Sequence, residues 1–145
     1  YTVTLTVSND NGTDTETKTG YITVSAPPPP PTLKESQLET VYFDFDKFNL
    51  PADAKASLDH NYQMLTEFPD AMIQLEGHCD ERGTEEYNLA LGERRARAVY
   101  DYLVLLGVRA SQMEMVSYGE ERPIAMGNDE AAWAKNRRGE FKVIQ

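Results

Sequence analysis

The chain of 145 residues has one cysteine, one tryptophan and two histidines. A lone Cys79 excludes an intrachain disulfide and any multi-cysteine zinc site. His60 and His78 leave little from which to build a histidine metal centre. Positive charge is also scarce: 14 Lys and Arg stand against 24 Asp and Glu, for a net charge of −10. A binder of nucleic acid or anionic lipid normally carries a basic stripe, and the only cluster to test is Arg94, Arg95 and Arg97. No run of about 18 apolar residues exists, so no transmembrane helix is expected. The start shows no initiator Met, no basic-then-apolar leader and no lipidation cysteine. Residue 1 already falls in a strand-like pattern, so the chain reads as a piece of a longer protein, with any export signal upstream. What is present is ordinary for a globular fold, 40% apolar and 26% charged residues.

Residues 1–25 read as a β-hairpin. Val3, Leu5 and Val7 alternate with threonines, Asn11-Gly12 supplies a turn, and a second run ends in Tyr21-Ile22-Thr23-Val24. A lone hairpin is marginal in water, so these strands would belong to a larger β-sandwich. Five consecutive prolines, Pro27 to Pro31, favour extended polyproline II and a semi-rigid spacer. The linker is placed at 26–37 and a second domain at 38–145. There the pattern becomes alternating strand and helix: a strand at 40–45, a helix opened by Pro51 and closed before Pro69, and a strand at 72–77. A long helix follows at 86–106, stopped by Gly107, then a strand at 113–118, a short helix at 129–136 and a strand at 139–144. This βαβαβαβ order predicts an α/β (α+β) domain with a four-stranded sheet and helices packed on it. Met113 and Met115 share one strand face and Trp133 sits among alanines, so all three are expected in the core.

The long helix singles out one residue. With Gly92 at 0° and about 100° per residue, Leu89, Ala96, Val99, Leu103 and Leu106 fall within about 60° of zero. Glu93, Arg94, Arg97 and Asp101 lie opposite, on a solvated face. Arg95 lies near 300°, inside the apolar arc, with Asn88 beside it. The three arginines are therefore not one basic patch, and a buried guanidinium must be paired. The candidate partners are acids leaving strand ends: Asp46 in Phe45-Asp46-Lys47, and Asp80 in the segment from Gly77 to Thr84. Two arrangements fit. Asp80 and Arg95 form a cleft for a zwitterion, the carboxylate taking an ammonium and the guanidinium a carboxylate. Alternatively they bridge each other and lock loop to helix.

The segments FDFDKFNL (43–50), EGHCDERGTEEYNLALGERRARAVYDYL (76–103), SYGEERP (117–123) and NRR (136–138) occur in an order that resembles the OmpA-like peptidoglycan-binding family. Their wording is nearer to its peptidoglycan-associated lipoprotein branch than to the porin or flagellar-stator branches. Residues 1–25 resemble the C-terminal end of a PKD-type β-sandwich. The family resemblance implies a mixed four-stranded sheet and non-covalent binding of peptidoglycan through the meso-diaminopimelate of the stem peptide. It implies a place on the periplasmic face of a Gram-negative outer membrane, joined to that membrane by a part of the protein outside this chain. It also implies a TolB-like periplasmic protein as a partner, and an interaction module of that kind without wall binding is the alternative reading. By the same resemblance the ligand residues are Asp80, Arg95 and Asp46, with Phe45, Arg82, Gly83, Thr84, Asn88 and Leu91 around them. Cys79 stands where Thr is the more usual letter. No enzyme, cofactor, metal site or nucleic-acid partner is expected. Cys79 and His78 are neighbours on an extended segment and point to opposite faces, so they do not make a nucleophile–base pair. Asp44, Asp46, Glu76 and Asp80 carry no metal-binding text.

Overall fold

The computed structural model describes residues 32–144; the expected hairpin at 1–25 and the proline run lie outside them. Among the described residues four strands alternate with three helices. The order is β1 (Val41–Tyr42), α1 (Ala52–Glu67), β2 (Ile73–His78), α2 (Glu85–Leu106), β3 (Met113–Gly119), α3 (Glu130–Asn136) and β4 (Arg138–Val143). They form one sheet in the order β1-β4-β2-β3. β2 runs parallel to β3 and antiparallel to β4, which runs antiparallel to β1. The sheet is mixed, as the family resemblance implies.

The folded unit begins earlier than residue 38. Leu33 is buried with the core, and Glu35–Gln37 form a 3-10 turn. Behind that turn Asn61, fully buried on α1, accepts from the Glu39 amide and donates to its carbonyl at 2.8 and 2.9 Å. One side chain thus replaces the ladder partners that this segment lacks.

β1 is shorter than the alternation of Val41, Phe43 and Phe45 suggests. Val41 and Phe43 are buried, but the chain turns at Asp44 and Phe45 leaves the sheet half-exposed. Lys47 N–H closes that turn on the Asp44 carbonyl at 3.2 Å, and Asp46 adopts φ 57°. Aspartate tolerates this left-handed conformation better than most residues. The core lies between the helices and the face of β2 that carries Ile73 and Leu75. Leu58 and Leu65 of α1 and Val99 and Leu103 of α2 pack there, each burial contributing about 1.5–3 kcal/mol. Met113 belongs to this core and Met115 packs against it.

Where α2 crosses β2, two glycines meet. A Cβ on Gly77 would collide with the Gly92 carbonyl, and one on Gly92 with the Ser117 hydroxyl. This close approach brings Asn88 and Arg95, two turns apart on α2, down to the carboxyl end of β2. The other face of β2 buries charge. His78 there hydrogen-bonds Glu76 at 3.0 Å and stacks on Tyr118, and Arg138 of β4 pairs with Glu140.

Candidate functional site

The loops after β1 and β2 and the first turns of α2 enclose a cleft of about 230 Å³. Phe45, Asp46, Asp80, Arg82, Gly83, Asn88, Leu91 and Arg95 line it, together with Cys79 and Tyr87. Eight of the nine residues singled out from sequence therefore meet in one cavity. Thr84 is the ninth and does not line it. Its hydroxyl caps α2 by accepting from the Tyr87 amide at 3.0 Å. Gly83, at φ 102°, makes the turn that precedes that cap.

Arg95 faces inward, as the helical arc requires, and is 0% exposed. Its partners are not carboxylates. Nε donates to the Lys47 carbonyl at 2.8 Å, Nη1 to the His78 carbonyl at 2.9 Å and Nη2 to the Asp44 carbonyl at 3.0 Å. The guanidinium thus ties the turn after β1 to the end of β2. Three of its five N–H donors are used, and the other two have no hydrogen-bond partner among the described residues. Burial lowers its pKa, opposed by Cys79 and Asp80, and arginine stays charged regardless. Arg95 is the cationic floor of the cleft.

The bridge between Asp80 and Arg95 does not form. Asp80 is taken instead by Arg82 at 2.9 Å and Arg137 at 3.6 Å, and its Oδ1 accepts from the Arg82 amide at 3.0 Å. Burial raises the Asp80 carboxyl, but the hydrogen bonds and charges of Arg82 and the charge of Arg137 outweigh it and hold it below the ordinary value. Arg82 is itself clamped, its guanidinium 3.8 Å from the Phe45 ring centroid and 3.9 Å from that of Trp133. Such contacts fix a cation in position.

Trp133 is therefore not the core residue that its alanine neighbours suggested. It is half-buried, its indole N–H donates to Glu81 at 3.1 Å, and it backs one wall of the site. At the mouth the Tyr87 hydroxyl donates to Asp46, and this hydrogen bond raises the phenol's pKa. Asn88 holds the loop from below, donating to the Asp80 and Arg82 carbonyls and to Glu120. Tyr87 was legible in principle, lying one turn before Leu91 on the same helical face. Trp133 carries no local signal, being more than 50 residues from the loop it supports, and the NRR segment that contains Arg137 does not by itself point to that loop.

None of this geometry prepares a nucleophile. The Cys79 thiol donates to the Asn88 carbonyl at 3.1 Å, and burial pushes its pKa up to about 11. His78 turns to Glu76, and burial lowers its pKa. The site is a cleft of opposite charges between the strand ends and α2, an arrangement suited to holding a ligand that carries both charges.

The OmpA family model matches residues 42–137. The peptidoglycan-associated lipoprotein of Pseudomonas putida is 53% identical over 105 residues, covering 72% of this chain and 63% of its own length. That of Pasteurella multocida is 50% identical over 104 residues, 72% and 69%. The crystal structure of the peptidoglycan-associated lipoprotein from Burkholderia pseudomallei superposes with a TM-score of 0.70 at 50% identity, covering 72% of this chain and 89% of that one. The chain belongs to the OmpA family. It spans about 60% of the length of the first curated relatives it matches.

Proposed function

We propose that this domain binds peptidoglycan non-covalently through the free zwitterionic end of meso-diaminopimelate in the stem peptide. In the parent protein this would tether the outer membrane to the cell wall from the periplasmic side. The observation that carries the reading is one small cavity lined by a carboxylate and a guanidinium that do not neutralise each other. An incoming ammonium is taken by Asp80, with Asp46 adding negative charge at the mouth. Asp80 already holds two arginines, so the extra acid matters. The ligand carboxylate faces the buried charge of Arg95. It reaches the two spare N–H groups as the turn at 44–47 yields, a turn held partly by the carbonyls that Arg95 now occupies. The similarity to several peptidoglycan-associated lipoproteins at about 50% identity supports the same ligand. The same proposal extends to a TolB-like periplasmic protein competing for the rim of this cleft.

Thermal shift tests the ligand. Millimolar meso-diaminopimelate should raise the melting temperature by mass action, and Asp80→Asn should abolish the rise. Lysine is the control, because its side chain ends in ammonium alone and offers Arg95 no carboxylate. No shift with diaminopimelate, or with a stem-peptide fragment well above micromolar, overturns wall binding and leaves the protein-interaction module.

A further inference from the structure

The two segments that wall the cleft, α2 and the stretch after β1, also line a second groove of about 490 Å³, with Phe48 and Leu50 on one side and Arg94, Arg97 and Ala98 on the other, and Lys55 from α1. Tyr87, Leu91, Arg94, Ala98 and Asp101 recur at helical spacing along one stripe of α2. Cleft and groove thus follow one another along the same helix and the same loop. Seven residues separate Leu91 from Ala98, roughly 10 Å along the axis.

The charge of this groove runs against that of the protein. The net charge is −10, yet Lys55, Arg94 and Arg97 converge here. None of them has a carboxylate within 4.0 Å among the described residues. Asp101 is the one acid among the lining residues, and it pairs with none of the three. Arg94 lies over the exposed Phe48 ring at 5.8 Å, and both line the groove. A basic patch therefore does exist on α2. It consists of the two outward arginines and a lysine from the neighbouring helix, without Arg95.

We propose that this groove binds the free α-carboxylate of the γ-linked glutamate that precedes diaminopimelate in the stem peptide. The inference rests on the reading of the cleft above. With the zwitterionic end of the diamino acid over Asp80 and Arg95, the preceding carboxylate of an extended chain lies roughly 10 Å away, comparable with the axial rise from Leu91 in the cleft to Ala98 in the groove. The apolar floor at Leu50 and Ala98 accepts the methylene groups between them. A second carboxylate read by point charges makes the site specific for unamidated wall.

The test is calorimetric titration of the full chain with two synthetic peptides, L-Ala-γ-D-Glu-meso-diaminopimelate and its glutamate α-amide. The free acid should bind about fivefold tighter, the size expected of one or two partly exposed ion pairs, and the preference should shrink at high salt. Replacing the three cations together, Lys55→Gln, Arg94→Gln and Arg97→Gln, should erase the preference while affinity for the amide is kept. Lys34→Gln with Lys135→Gln, which removes charge elsewhere, should leave it. Equal affinities in the wild type overturn the proposal, as does a preference that survives in the triple variant. If neither peptide binds, the reading of the cleft fails, and this inference falls with it.

Discussion

Arg95→Ala tests whether the cleft is built around its own floor. The substitution removes three hydrogen bonds from a charged donor to the carbonyls of Asp44, Lys47 and His78. The three acceptors do not lose equally. The His78 contact is buried, and an unsatisfied buried carbonyl costs about 1–3 kcal/mol. Asp44 and Lys47 are exposed residues of a surface turn; water replaces the guanidinium there, and the net loss is about 0.5–1.5 kcal/mol each. Removing a fully desolvated charge offsets part of this. The expected destabilisation is therefore roughly 2–5 kcal/mol, within the ~5–15 kcal/mol of an ordinary domain. The variant should still fold at 25 °C, with its melting temperature lowered by about 10–20 °C. Urea denaturation with an unchanged m-value measures the loss. Hydrogen exchange locates it: faster exchange at the Lys47 amide, whose turn has lost its clamp, and little change at Ile73 or Leu75 in the core strand. If Arg95→Ala melts within a degree or two of the wild type, the three carbonyl contacts carry no stability and the account of the floor is wrong. Wall binding should be lost in the same variant.

Gly77→Ala sets a methyl group against the Gly92 carbonyl. It should cost roughly 1–3 kcal/mol in urea unfolding as α2 is pushed off the sheet, and it should weaken wall binding although Gly77 lines no cleft. Asp80 has a folded pKa below its unfolded one, so the unfolded chain binds more protons in the acid range. The stability from Asp80 is complete above the ordinary carboxylate value and fades as pH falls below about 4; Asp80→Asn should flatten that acid limb in thermal melts between pH 2.5 and 6. The Cys79 thiol, buried and pushed up to about 11, should resist a thiol reagent at pH 8 in the native protein and react at once in urea. Rapid native labelling would show the cleft to be open at its base.

Much of the frame was legible in the sequence because periodicity is a local property. Alternation and helical spacing orient each side chain about its own element, and they give the βαβαβαβ order and place every helix end within a residue or two. They also mark Arg95 as an inward-facing charge. What periodicity cannot supply is the partner. The same inward arginine is satisfied equally by a carboxylate or by three carbonyls, and the choice depends on which loops close over it. Here the turn at 44–47 closes over it, so Asp80 is left to Arg82 and Arg137. Phe45 continues the strand pattern of Val41 and Phe43, yet the chain turns at Asp44 and sends its ring out to stack on Arg82. Trp133 sits among alanines on a short helix, and only the docking of that helix beside the 80–83 loop makes it a wall of the cleft. Arg94 and Arg97 are solvated on any helical wheel; Lys55 joins them only because α1 packs alongside α2. Sequence by itself determined the elements and the direction each side chain faces. Which charges share a cavity, and which remain unpaired, was decided by the packing of helices on the sheet, because desolvation and partner choice belong to the assembled neighbourhood and not to any one segment.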